Sequence, residues 1–478
     1  MRSVVASLLL LLGVAAPASA AEWQRASLIT PPFSQVPEVL TSVSEAGETL
    51  VVWEDSNTLI WRTRVRGQDA GAPEQLADNV SRTYAMAGDR QGNAIVAWVV
   101  SNNGADNAVL ARFRPAGGQF GPVQVVSVEE LQASQLRVAL APNGEAVVAW
   151  KDLQLGPGQR RLRWAARPAG AEGFGAPQTL ATGEPLLRGL GMDDEGASFV
   201  AWTEAGQVLT ALRRAGGAFD RPQPLVTPGL ETKGEVAMDV AANGFAVLAF
   251  TEGRPGEDAT RAHVAGAVGD SRFGFDREGT RSGPYARDLA VDASLGFGAV
   301  AWRAGSGRNS RVQAAPLSQG SFDPTQTLSA GNARRPDVAV TADGRFTVAW
   351  QRLTERGRAL EASSRTHLQE AFPEPERISV YGDVGSPGVE VNERGEQFAA
   401  WLRSGHGLSR AESAKASSRT GRFTRVLTVF DGRVGVGEAI DEIRLEPSRN
   451  VMQAVYRRRI SRSNRRFWDL STYSESDP

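Results

Sequence analysis

The stretch GEAVVAWKD (144–152) has the form of one sheet strand: a glycine turn, a run of small and branched apolar residues, a tryptophan, then charge. It recurs as GETLVVW (47–53), GNAIVAW (92–98), GASFVAW (196–202), GFAVLAF (244–250), GAVAW (298–302), GRFTVAW (344–350), GEQFAAW (395–401) and, more loosely, NVMQAVY (450–456). The closing aromatics are Trp53, Trp98, Trp150, Trp202, Phe250, Trp302, Trp350, Trp401 and Tyr456, spaced 45 to 55 residues apart. A period near fifty marks an array of identical structural units.

Each unit holds more than this strand. Ahead of the glycine runs another β-rich segment ending in a polar turn, as in LRVALAPNG, VAMDVAANG and PDVAVTADG, so the pair reads as a hairpin closed at Asn-Gly or Asp-Gly. A third alternating run follows a glycine-rich loop, as in RLRWAARP (161–168) and QVLTALRR (207–214), and a fourth follows a turn with phenylalanine, as in AGGAFDRPQPL. Four short strands per fifty residues is the pattern of a propeller blade. The second strand is apolar on both faces, as a sheet covered on both sides by neighbouring blades requires, and the later strands alternate toward a solvated rim. The tryptophans are therefore expected to be wedges between blades, each burying area worth about 2–3 kcal/mol, rather than a ligand-binding ladder.

The ends of the chain fit together. EWQRASLIT (22–30) resembles a fourth strand without its first three, whereas the last unit offers three strands without a fourth. Pairing them closes a circle and hides two sheet edges. The expectation is an all-β fold: a single β-propeller over residues 21–478 with nine four-stranded blades, or eight if the irregular unit around 244–302 is distorted, closed by the amino-terminal strand. An open solenoid is the alternative, but it gives no reason for complementary ends.

Residues 1–20 read as a signal peptide, with Arg2, an apolar run too short to span a bilayer comfortably, and Ala18-Ser19-Ala20 as the cleavage site. The mature protein is expected to be secreted or periplasmic, without stable membrane insertion. Cysteine is absent, which excludes disulfides, a lipidated cysteine and a cysteine nucleophile. The formal net charge is −1, which argues against nucleic acid as a partner. A monomer without cofactor is expected.

The hairpins PDVAVTADGRFTVAW and VALAPNGEAVVAW, with the following ARPAGAEGFGAPQTL or RRAGGAFDRPQPL, resemble the repeats of secreted bacterial β-propeller proteins of uncharacterised function, and more distantly NHL-type blades. The resemblance covers nearly the whole mature chain and implies architecture without activity. Sialidase propellers are a poorer match, because the nearest stretch to their Asp-box, MDDEGASF (192–199), lacks the serine and ends in phenylalanine.

Catalytic motifs are missing: there is no GxSxG elbow, no HExxH and no phosphate-cradling GxxxxGK[ST]. His263, His367 and His406 fall in different units and suit no single metal site, and the acidic turn Asp193-Asp194-Glu195 is what a hairpin needs without calcium. No metal is expected. Polar residues at the start of each first strand should instead crowd one mouth of a central channel: Glu38, Arg82, Arg137, Arg188, Glu235, Asp288, Asp337 and Glu442. Three successive units supply arginine and three later ones acid, so the mouth would be electrically split. A second candidate, for anions, is Arg458, Arg459, Arg462 and Arg465 within RRRISRSNRR (457–466).

Two functions remain open at this point. One is a non-enzymatic binding or scaffold module for a protein or glycan partner. The other is a carbohydrate-active hydrolase or lyase using two carboxylates at the channel mouth.

Overall fold

The computed structural model describes residues 22–23, 27–31, 38–100, 107–130, 133–152, 160–280, 285–318, 320–392, 394–405, 408–417, 419–423, 426–433, 438–447, 452–460 and 465–474. Their strands form nine antiparallel sheets, taken here as blades 1 to 9 in chain order. Blade 1 spans 39–77, blade 2 80–130, blade 3 134–183, blade 4 186–224, blade 5 231–280, blade 6 287–327, blade 7 333–377, blade 8 383–433 and blade 9 438–474. The unit around 244–302 is not distorted: blade 5 is a regular four-stranded sheet, and Phe250 fills its wedge with no exposed surface.

The second strand sets the interior. Ala146–Asp152 is buried at every residue, as a strand sandwiched between neighbouring sheets must be. The hairpin before it turns at Ala141-Pro142-Asn143-Gly144, where the Gly144 amide donates to Ala141 O at 2.9 Å and Gly144 alone takes a left-handed φ of 83°. Asn-Gly thus works as a three-residue hairpin connection with glycine at the bulge position.

The apolar core lies in the seams. Buried residues gather into clusters that each bridge consecutive blades, and the set runs from blades 1 and 2 round to blades 9 and 1. Seven wedge tryptophans, Trp53, Trp98, Trp150, Trp202, Trp302, Trp350 and Trp401, are at most 1% exposed. Buried ion pairs cross the seams as well: Arg213 of blade 4 meets Glu145 of blade 3 at 2.6 Å, and Arg114 of blade 2 meets Glu48 of blade 1 at 2.7 Å.

Closure occurs at two radii. Outside, Trp23 pairs with Tyr473 and Leu28 with Asp469, so the amino-terminal strand completes blade 9. Inside, the first strand of blade 9 packs on that of blade 1, where Arg444 donates to Val39 O and Thr41 donates to Glu446. The first strands contact one another in sequence round the whole ring and thereby line the channel.

Candidate functional site: the channel and its mouth

Because each blade is an antiparallel meander, every first strand begins at the same end of the channel, beside the turns that join second to third strands. That start is irregular in a repeated way. The register of the first hairpin slips between Val80 and Tyr84, Ser134 and Arg137, Leu187 and Gly189, Thr232 and Val236, Arg287 and Ala290, Arg334 and Asp337, and Ile440 and Glu442. Such bulges re-aim side chains at a sheet margin. Arg82, Arg188, Glu235 and Asp288 lie inside these bulges, and Arg137, Asp337 and Glu442 are the first paired residues after them.

The expected residues meet unequal fates. Glu38, Arg82 and Arg137 are exposed, and Arg188 donates to Thr203 Oγ1 at 3.1 Å. Arg137 has its pKa lowered by the protein around it and then by the neighbouring Arg188. The acids opposite are largely engaged within the ring. Glu235 accepts the Leu289 amide at 3.3 Å, Asp288 accepts that of Arg335 at 3.2 Å and also pairs with Arg303, and Asp337 accepts that of Val389 at 2.8 Å. Glu442 pairs with Arg457 at 3.0 Å. Each of these three amides belongs to the first strand of the following blade, so the carboxylate satisfies an edge donor that no sheet partner reaches.

Deeper in the channel lies a set that the sequence reasoning passed over. Asp239, Asp292, Glu390 and Glu446 stand opposite Val247, Ala299, Phe398 and Gln453, which is the same register level in blades 5, 6, 8 and 9. Blades 1 to 4 carry Ser42, Ala87, Ala139 and Gly191 there and blade 7 carries Ala339, so one side of the channel is small and uncharged and the other is acidic except at blade 7. Asp239 accepts the Ala293 amide at 2.9 Å, and Asp292 accepts the Val340 amide. Asp292 keeps its proton well above the usual range, through burial and then the charge of Asp239, with which it shares a hydrogen bond. Burial, then the charges of Asp337, Glu446 and Asp239, pushes Glu390 up to about 8, and burial raises Asp337 to about 6. The available signal was an acid at one hairpin position in VAMDV, AVDAS, GVEV and RLEP.

The other candidates separate. Arg458 is held by Asp469 at 2.8 Å with its guanidinium over Phe430; Arg462 lies outside the described residues, as does the side chain of Arg465; Arg459 sits across the hairpin from Arg466. His263 begins a third strand, His367 stacks on Phe297 with ring centroids 4.9 Å apart, and His406 lies outside the described residues. Asp193 accepts the amides of Glu195 and Ala197 in its turn, and no group of three or more potential metal ligands occurs among the described residues.

No protein-family profile matches the chain, and no curated protein matches it in sequence. Solved structures with a similar course include a prolyl endopeptidase (11% identity, TM-score 0.43, covering 89% of this chain and 55% of the other). Others are the polysaccharide lyase Uly1 (10%, 0.43, 95% and 100%) and the Dos1 propeller (9%, 0.43, 82% and 92%). The chain thus spans about half the length of the endopeptidase, 55%.

Proposed function

We propose that this propeller is a binding module that works outside the cytoplasm as a monomer and engages a protein or glycan partner at the mouth where the first strands begin. One observation carries the reading. Arg82, Arg137 and Arg188 stand in or directly after the register slips of three successive first strands, and none of the three has a carboxylate partner among the described residues. Structural arginines elsewhere in the ring, such as Arg114 and Arg213, are paired and buried. Cations left without a carboxylate at a solvent-facing rim are available to a ligand.

A second reading, a carbohydrate-active hydrolase or lyase, is favoured by Asp337 near 6 and Glu390 near 8, since groups that hold a proton close to neutrality suit general acid–base work. Screening the purified chain from residue 21 onward on a glycan array, with chromogenic glycosides and acidic polysaccharides assayed for turnover in parallel, separates the two. Binding without turnover, lost in an Arg82→Ser/Arg137→Ser/Arg188→Ser variant, is the expected result. Turnover abolished by Asp337→Asn would put the enzyme in its place.

A further inference from the structure

A separate cleft of about 810 Å³ opens on the same face between the turns of blades 6 and 7 and the segment leading into blade 8. Its volume falls in the range of ligand sites, roughly 300–1,000 Å³. Arg308, Asn332, Arg352, Glu355, Arg356 and Tyr381 line it, and none of the eight mouth residues does. Of its three arginines, Arg352 is tied to Glu361 at 2.8 Å, whereas Arg308 and Arg356 are exposed and meet no carboxylate among the described residues.

Residues next to the lining are also cationic. Arg334 spends its Nε on Gln351 Oε1 at 2.6 Å, and Arg335 its Nη1 on Ser386 Oγ at 3.2 Å; both partners are neutral. Arg377 lies 4.3 Å from the Tyr381 ring centroid and Arg356 5.9 Å from it. Burial, then the charges of Arg358, Arg335 and Arg303, lowers the pKa of Arg334, with Asp288 acting the other way. Most nearby acids are committed, Glu361 to Arg352 and the Trp350 N–H, Asp383 to Arg358, and Asp288 to Arg303, which leaves Glu355 as the one carboxylate of the lining. Guanidinium groups that outnumber the carboxylates around them repel one another, and an oxyanion held in their planar forks lowers that cost.

We propose that this cleft binds an acidic polysaccharide, with uronate or sulfate groups held by Arg308, Arg352 and Arg356. Asn332, Thr354 and Glu355 supply donors and acceptors for ring hydroxyls. Leu353 is the one aliphatic side chain in the lining larger than alanine, so an acidic peptide finds no pocket for its apolar residues. A nucleic acid finds no free stacking platform, because Arg377 already lies against Tyr381, the lining's one aromatic ring. This site stands independently of the mouth.

The test uses calorimetry at low and moderate salt with oligogalacturonate as the carboxylate probe, a chondroitin sulfate oligosaccharide as the sulfate probe, and dextran, polyglutamate and single-stranded DNA as comparators. One of the two acidic saccharides should bind, more weakly as salt rises, and an Arg308→Ser/Arg356→Ser variant should lose about tenfold or more in affinity. An Arg66→Ser/Arg221→Ser variant, changed at exposed positions outside both the cleft and the mouth, should bind as the parent does. Both arginine pairs reach solvent, so unchanged melting of the variants confirms that folding is not what is being read. The proposal fails if neither saccharide binds, if polyglutamate or DNA binds equally well, or if the cleft variant binds as the parent does while an Arg137→Ser/Arg188→Ser variant at the mouth loses affinity; that last result would move the saccharide to the mouth.

Discussion

Trp150 and Trp350 occupy the same wedge position, yet their indole N–H groups end differently. Trp350 donates to Glu361 at 3.2 Å, as Trp401 does to Glu412 at 2.9 Å and Trp302 to Gln313 at 3.1 Å, whereas Trp150 Nε1 is buried with no acceptor among the described residues. Across the hairpin from Trp150 stands Arg163, whose guanidinium lies 5.8 Å from the indole centroid. Phenylalanine keeps the apolar wedge and that cation–π contact but removes the N–H. Trp150→Phe is therefore expected to cost only the cavity left by the smaller ring, on the order of 1–2 kcal/mol, and Trp350→Phe about 1–2 kcal/mol more because Glu361 loses a buried donor. Urea unfolding of the two variants checks the order, and an equal cost would refute the role given to Glu361. The wedge itself was legible, because an aromatic repeating at one interval can satisfy only a repeated environment. The fate of its N–H was not, since it depends on which residue the third strand places opposite.

At the scale of the element, the first strand is an edge strand on the channel side, and its amides need acceptors from elsewhere. Carboxylates of the preceding blade supply them at Leu289, Ala293, Arg335, Val340 and Val389. The hairpin pattern placed these strands correctly. It did not distinguish an acid at the mouth from one bonded into a seam, because the partner lies about one repeat away in the chain. This arrangement sets a pH dependence. Glu390 faces the acids Asp337, Glu446 and Asp239, and the adjacent cation, Arg444, is engaged with Glu446 at 3.2 Å. Its folded pKa of about 8 lies above the ordinary 4.5, so the folded state holds a proton that the unfolded chain releases as pH rises. The resulting stability is fully present below 4.5 and is lost as pH climbs through 8; Asp337 and Asp292 act in the same direction. Between pH 5.5 and 8.5 the chain should lose roughly 2 kcal/mol from Glu390, less than the full linkage because channel water screens it. Glu390→Gln should flatten this slope in denaturant titrations at the two values. Asp292→Asn keeps a donor for Asp239 and an acceptor for Val340 and should raise stability at pH 8.5. Parallel slopes in parent and variants would rule out the channel acids as the cause.

For the whole molecule, a ring of similar seams has no central core to hold it shut, so stability depends on the last seam as much as on any other. That seam joins residues about four hundred apart in the chain: Ile29 and Thr30 are fully buried, Ile29 donates its amide to Trp468 O at 2.9 Å, and Trp23 meets Tyr473 edge-on at 5.6 Å. Trp23 also reaches past blade 9 to donate to Ser413 of blade 8 at 2.7 Å. The incomplete units at the two ends made this closure readable without coordinates. A chain beginning at residue 31 keeps every other strand but leaves Arg465–Ser474 as an open sheet edge and uncovers Ile29's share of the blade 9 and 1 cluster. Losing the buried Ile29, worth about 2–3 kcal/mol, and the half-buried Trp23 with its contacts should lower the melting temperature by on the order of 5 °C. The open edge should promote edge-to-edge association, visible as dimers or larger species in light scattering. A synthetic peptide of residues 22–30 should restore both the melting temperature and the monomer when added in excess, since it supplies the missing strand by addition to the free edge. If the shortened chain melts with the parent and stays monomeric, the amino-terminal strand decorates the ring and does not lock it.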